Sequence, residues 1–339
     1  MSWWVYILRC GDGTLYTGTA ADVERRLAAH RRGRGAKYTR GRGPLAVVYR
    51  EECPDQGAAL RREAAIKKYR RAEKEALISD YAERRSRMKK AAFIGTGNMG
   101  APLIQAACRA VGAEQVVIAN RTRAKAEALA AELTDLKTVV LPLDLCREES
   151  FTALREKLAA EQPEVVLLLN NAGCGYLGNV GDGPLARQTT MIDLNVRALT
   201  AITHLVLPYM KAGAHILNTS SIASFCANAK LNTYSATKAY VSSFTRGLSY
   251  ELRNRGISAT AVCPGPMATE FVTVGGITGN SPEFERLPYC DPQQVALSAM
   301  TAARHGHVFY TPTAFYKVYR VAAKLLPHAL VVRWAKCGD

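Results

Sequence analysis

At 339 residues the chain has room for two or three domains, and its 48% hydrophobic content is enough to give each a buried core. The formal net charge of +16 is concentrated at one end: residues 1–90 hold 22 Lys/Arg against 11 Asp/Glu, the remainder 23 against 18. Nine scattered cysteines without a C-x-x-C pair argue against a disulfide framework or a cysteine zinc site, and an apolar run such as Val165 to Leu169 is far too short for a membrane-spanning helix.

In chain order, Trp3 to Arg9 and Thr14 to Thr19 are strand-like and joined by the turn signal Gly11-Asp12-Gly13. Asp22 is placed to cap a helix from Val23 to His30, and a Gly/Arg-rich loop runs from Arg31 to Gly43. Leu45 to Tyr49 is expected as a third strand, with helices over Gln56 to Tyr69 and Ala72 to Arg87. The basic excess of this region predicts a polyanionic partner, nucleic acid, because phosphate neutralisation dominates such affinities. The first residues lack the basic n-region of a secretory leader, and the unpaired cysteines suit a reducing, cytoplasmic setting.

A composition break falls at Met88, giving expected domains 1–87 and 88–339. Beyond it strand and helix signals alternate, with strands near 91–95, 115–119, 138–141, 165–169, 214–219 and 258–262. That alternation predicts a parallel sheet with helices on both faces. Gly95-Thr96-Gly97-Asn98-Met99-Gly100 is G-x-G-x-x-G between strand and helix, where Gly95, Gly97, Asn98 and Gly100 let a pyrophosphate approach the helix N-terminus. An NAD enzyme would carry a carboxylate after the next strand. This chain has Asn120-Arg121-Thr122-Arg123, and arginine there suits the 2′-phosphate of NADP.

The most telling residues are Ser221, Tyr234 and Lys238. Tyr234-Ser235-Ala236-Thr237-Lys238 sets a phenol and an ammonium one helical turn apart, where the lysine is expected to lower the tyrosine pKa. Ser221 follows an apolar strand and could hydrogen-bond a substrate carbonyl. With Asn170-Asn171-Ala172-Gly173, Asp193-Leu194-Asn195-Val196 and Pro264-Gly265-Pro266, residues from about 135 to 335 resemble a short-chain dehydrogenase/reductase. The resemblance implies a Rossmann-type doubly wound sheet. In it Tyr234 is the acid, Ser221 polarises the carbonyl, and Lys238 holds the nicotinamide ribose. It further implies that Asn195 supports a water relay to the lysine, and that Pro264, Gly265 and Thr269 flank the nicotinamide. Asp144, Asn171, Ala172 and Gly173 would line the adenine and ribose side. The first turn departs from that family: residues 88–134 resemble pyrroline-5-carboxylate reductase through Ile94 to Gly100 and Asn120-Arg121-Thr122.

Residues 2–80 resemble the GIY-YIG nuclease family, in its small single-domain branch. Val5-Tyr6-Ile7 and Tyr16-Thr17-Gly18 stand for the two triplets, followed by Arg26, His30, Gly35 to Arg40, and Glu63. The resemblance implies Tyr6 or His30 as base, Tyr16 as helper, Arg26 on the phosphate, and Glu63 as ligand of Mg²⁺. The whole is therefore expected to be an α/β protein: a small nuclease-like α/β domain fused to a reductase. A nucleic-acid-binding protein with an inactive nuclease-like module and an NADP(H)-binding domain is the alternative. Small apolar pocket walls (Cys174 to Val180, Ile222 to Leu231, Phe271 to Asn280) suggest an apolar ketone or alcohol substrate, and a homo-oligomer through the reductase domain is compatible with the sequence. The amphipathic tail from Phe315 to Trp334 is expected to cover that pocket, pack on a partner subunit, or touch a membrane surface.

Overall fold

Two different sheet periodicities divide the chain. The computed structural model describes residues 3–86, 90–95, 101–267 and 287–334, and it separates into the units Met1–Met88 and Lys89–Asp339.

In the first unit β1 (Trp3–Arg9) is the middle strand, antiparallel to β2 (Leu15–Ala20) and β3 (Ala46–Cys53). Its alternating side chains feed two cores. Val5 and Ile7 pack with Tyr49, Ile66 and Ile78, while Tyr6 and Leu8 pack with Val23, Leu27 and Leu45. The covering helices are α1 (Val23–Arg31), α2 (Gln56–Lys68) and α3 (Arg71–Ser86). Asp22 and Asp55 cap the first two, accepting from Arg25 N at 2.9 Å and Ala58 N at 2.7 Å. Strand β3 runs past the expected Tyr49 to Cys53. The polar run Arg50-Glu51-Glu52 reads as loop, but it lies on an edge strand, paired with Trp4 to Tyr6 and held by an Arg62–Glu51 ion pair of 2.8 Å.

The second unit is a seven-stranded, wholly parallel sheet: β4 (Lys90–Gly95), β5 (Gln115–Asn120), β6 (Lys137–Pro142), β7 (Glu164–Asn170), β8 (Met210–Thr219), β9 (Ser258–Val262) and β10 (Phe309–Tyr310). Their spatial order is β10-β9-β8-β7-β4-β5-β6. Helices α4 (Ala101–Val111), α5 (Arg123–Glu132) and α10 (Pro292–Arg304) belong to one apolar layer. Helices α6 (Glu148–Glu161), α8 (Leu199–Val206) and α9 (Asn232–Leu252) belong to the other. Burial on both faces explains strands as continuously apolar as Val165 to Leu169. Strand order reverses between β4 and β7, and ligands of such sheets bind in the crevice at the strand C-termini there. The two-residue edge strand β10 is too short to show a period. No helix among the described residues is long and apolar enough to cross a membrane.

Two candidate active sites

The first site forms where β7, β8 and α9 end or begin. Asn170 closes β7 and is a buried structural amide: its Nδ2 donates to Thr203 Oγ1 (3.0 Å) and Asn218 Oδ1 (2.9 Å), and Asn218 Nδ2 donates to Thr245 (2.9 Å). That ladder satisfies polar groups between the sheet and two helices. The neighbouring Asn171 accepts from Thr219 Oγ1 at 2.8 Å. A β-carbon at Gly173 would stand 3.0 Å from Asn195 Oδ1 and 3.4 Å from Lys238 Nζ, so glycine lets the loop lie against both without pressing on either side chain.

Between α7 (Leu185–Ile192) and α8 the helix widens into a π-turn over Asp193–Ala198, a deviation common at functional sites. It carries Asn195 inward. The amide accepts from Cys174 N (2.9 Å) and donates to Cys174 O (2.9 Å) and Thr237 Oγ1 (3.0 Å). Asn195 thus clamps the loop after β7 to the helix bearing Tyr234 and Lys238.

Tyr234 and Lys238 are both buried on α9. Ser221 caps a short 3₁₀ turn, accepting from Ala223 N at 3.1 Å, and its hydroxyl also hydrogen-bonds the Tyr234 phenol. The expected lowering of the tyrosine pKa is not what these surroundings give. Burial pushes Tyr234 up to about 12, and the Ser221 bond pulls it down only in part. Lys238 is pushed down to about 8 by the same loss of water. From the ordinary lysine value, that corresponds to roughly 3 kcal/mol against the charged form. Its Nζ donates to Thr219 O at 2.7 Å and lies 5.7 Å from the Tyr234 ring centre. Burial is the largest influence on both groups. Around the phenol lie Met191, Leu231, Tyr176, Leu177 and Cys174, an apolar wall.

At the cofactor end, Gly95 closes β4, whereas Gly97, Asn98, Gly100 and Thr269, with the expected wall Phe271 to Asn280, lie outside the described residues. Asn120 makes an Asx turn with Thr122 N at 2.8 Å. Arg121 is exposed, and its charge weakly favours the thiolates of Cys146 and Cys174. Arg123 is instead paired with Glu127 at 2.7 Å on the helix surface. Asp144 holds its own turn through Cys146 N at 3.1 Å. Pro264 accepts from Ile222 N at 3.0 Å, tying its loop to the Ser221 turn.

Tyr316, on α11 (Ala314–Leu325), escaped the sequence reading as a site-building residue. It is fully buried, packs where a β-carbon on Gly265 would stand 2.3 Å from its ring, and donates to Pro288 O at 2.6 Å. Its only sequence signal is an aromatic residue on the inner face of an amphipathic helix. The tail packs on the reductase unit itself: Ala323 of α11 and Val331 of α12 (His328–Trp334) cluster with Cys226, and Tyr319 meets the Phe225 ring.

The second site gathers Tyr6 of β1, Tyr16 of β2, Arg26 and His30 of α1, and Glu63 of α2. Tyr6 lies opposite Gly18 across β1 and β2, where a β-carbon would stand 2.8 Å from its hydroxyl. This close approach is the physical reason for a glycine after Tyr16-Thr17. His30 is buried, with Nε2 3.0 Å from Tyr6 Oη and Nδ1 2.7 Å from Thr39 Oγ1. Gly35 leaves room for its ring, since a β-carbon there would come within 2.3 Å of Nδ1. The Tyr16 ring sits 5.1 Å from His30 and 6.1 Å from Tyr38. Burial drives Tyr6 up to about 12, with Tyr16 adding to the rise and Arg26, hydrogen-bonded to the phenol, opposing it. Burial and Arg26 both push His30 below its ordinary value, so it is neutral at pH 7.

Glu63 accepts from Thr19 Oγ1 at 3.3 Å and pairs with Lys67 at 2.7 Å; its side chain is 13% exposed. No cluster of three or more metal-ligating side chains occurs among the described residues. A single half-buried carboxylate still fits Mg²⁺, which keeps waters and leans on substrate phosphate. Exposed Arg25, Arg32, Arg34, Lys37 and Arg40 give the rim of this site a positive field.

Comparison with known proteins matches residues 98–275 to the short chain dehydrogenase family and residues 2–76 to the GIY-YIG catalytic domain. A UPF0213 protein of Natronomonas pharaonis is 52% identical over 77 residues, 23% of this chain and 91% of that protein. An uncharacterized oxidoreductase of Staphylococcus saprophyticus is 29% identical over 200 residues, 57% of this chain and 82% of its own length. Among solved structures, a short-chain dehydrogenase from Sphingobium yanoikuyae in complex with NADPH aligns with TM-score 0.58 and 24% identity, over 71% of this chain and 97% of that one. A 7beta-hydroxysteroid dehydrogenase aligns with TM-score 0.62 and 17% identity, over 74% and 98%. These likenesses carry the fold. The short-chain match begins inside residues 88–134, and the likeness of that segment to pyrroline-5-carboxylate reductase rests on its residues alone.

Proposed function

The chain belongs to the short-chain dehydrogenase family and, through its first unit, to the GIY-YIG family; from this premise we propose that it joins an NADP-dependent carbonyl reductase to a metal-dependent phosphodiesterase of nucleic acid. The observation that carries the reductase reading is the buried Ser221–Tyr234–Lys238 group beneath an apolar wall. Tyr234, kept protonated by burial, donates its proton to the carbonyl oxygen as that oxygen becomes an alkoxide, and Ser221 polarises the same oxygen. Lys238 is positioned to bind the nicotinamide ribose, with Asn171, Ala172, Gly173 and Pro264 to Gly265 around it. Asn195 holds the loop and helix in register and supports the expected water relay to the lysine. When bound, the nicotinamide supplies hydride. Arg121 is the residue that favours a 2′-phosphate, because Arg123 is engaged by Glu127. The apolar wall suits a hydrophobic ketone or secondary alcohol.

In the first unit Arg26 stabilises charge developing on the phosphate, and Tyr6 and His30 handle the proton of the attacking water. Glu63 would hold Mg²⁺, which supplies Lewis-acid stabilisation when bound. The assembly of these groups around Tyr6 favours cleavage over the binding-only alternative. Full-length protein should oxidise NADPH in the presence of a small apolar ketone, and nick supercoiled plasmid with Mg²⁺ or Mn²⁺. Loss of nicking on Glu63→Ala, with salt-sensitive DNA binding retained, is the expected pattern. Binding with no metal-dependent nicking would return the unit to the binding-only reading.

A further inference from the structure

His30 carries two hydrogen bonds, and together they determine which of its nitrogens bears the proton. Thr39 Oγ1 is 2.7 Å from His30 Nδ1 and 2.9 Å from Ala36 O. A carbonyl only accepts, so the single hydroxyl proton of Thr39 points to Ala36 when that bond is made. The hydroxyl oxygen can then only accept from the imidazole. This requires Nδ1–H, and it leaves Nε2 bare, 3.0 Å from Tyr6 Oη, to accept the phenolic proton. All three bonds form together in this arrangement. The opposite tautomer turns the Thr39 hydroxyl toward Nδ1 and away from Ala36, and puts Nε2–H against the phenol oxygen. It makes one bond fewer.

We infer that Thr39 is a positioning residue that fixes His30 in the Nδ1–H tautomer, making Nε2 the terminal proton acceptor of a water–Tyr6–His30 relay. The inference deepens the nuclease reading and rests on it. Tyr6 alone is a poor base because burial keeps its proton on. Passing that proton to His30 as water is deprotonated avoids a free buried phenolate. In the step, the water oxygen bonds to phosphorus and the bond from phosphorus to the leaving sugar oxygen breaks. The water proton moves to Tyr6 Oη, the Tyr6 proton moves to Nε2, and the leaving oxygen takes a proton from solvent. The charged and titratable groups around the pair are Tyr16, Arg26 and Glu63, all acting on Tyr6, with Arg26 also disfavouring the imidazolium.

The test uses full-length protein labelled with ¹⁵N in histidine. At neutral pH the His30 nitrogens should show a protonated Nδ1 and a bare Nε2. Thr39→Val should shift the population toward Nε2–H and lower plasmid nicking at least about tenfold, part of the 10²- to 10⁴-fold that proton transfer contributes. Thr39→Ser should restore both. An Nε2–H tautomer in the unmodified protein overturns the inference even if Thr39→Val fails to fold. So does a Thr39→Val protein that keeps both tautomer and rate. Absence of nicking with the Nδ1–H tautomer present would instead overturn the nuclease reading, because the spectrum does not depend on cleavage.

Discussion

Each unit of this chain buries a tyrosine, Tyr234 in one and Tyr6 in the other, and in each burial pushes the phenol up to about 12. Their neighbours differ. Tyr234 is hydrogen-bonded to Ser221 and sits near an ammonium that donates to the backbone of Thr219. That environment preserves an acid until a stronger base, the developing alkoxide, arrives. Tyr6 faces the imidazole of His30 at 3.0 Å. A neutral histidine held in one tautomer makes the same phenol a relay. The residue type sets the chemistry available, and the adjoining hydrogen-bond partner decides its direction.

Four measurements would break or sharpen that contrast. The largest effect is expected from Tyr234→Phe: NADPH-dependent ketone reduction should fall by about 10²- to 10⁴-fold, with NADPH binding retained, since only the acid is removed. Next, Arg26→Ala should lower nicking by roughly 10²- to 10³-fold, the scale of losing one transition-state charge partner, while DNA binding measured by anisotropy changes little. In the cofactor crevice Arg121→Asp should reverse the preference for NADPH over NADH. A charge-assisted contact of about 1.5–3 kcal/mol corresponds to roughly 10- to 100-fold in the ratio of dissociation constants, and Arg123→Asp should do much less. The smallest effect is a pH limb. With Lys238 pushed down to about 8, the ammonium is present below that pH and lost above it. Ketone reduction at subsaturating substrate should therefore decline above about pH 8, measured on enzyme shown by circular dichroism to stay folded.

Much of the architecture was legible because the signals are local and repeated. Strand–helix alternation after Met88, the apolar run Val165 to Leu169 and the turn at Gly11 to Gly13 need no tertiary knowledge. Tyr234, Lys238 and Ser221 were readable because a helical spacing and a preceding strand fix their relation. What escaped the sequence depends on contacts between distant segments. The end of β3 is set by its pairing with β1 rather than by its polar residues. Tyr316 builds the Pro264–Gly265 loop from fifty residues downstream, with no local pattern to announce it. The two arginines after β5 look equivalent in sequence, and only the helical reach of Glu127 separates them. The direction of the Tyr234 shift is hidden for the same reason: proximity to Lys238 is visible in Y-x-x-x-K, but the degree of burial that raises the phenol is not.

The central claim is that Tyr234 is the proton donor of a working NADP-dependent reductase within this fused chain. Parallel NADPH fluorescence titrations and turnover assays on the full-length protein and its Tyr234→Phe variant test it most directly. Saturable NADPH binding by both, with ketone reduction by the unmodified protein alone, is the predicted result. Failure of the unmodified protein to bind NADPH, or equal reduction rates from the two proteins, would contradict it.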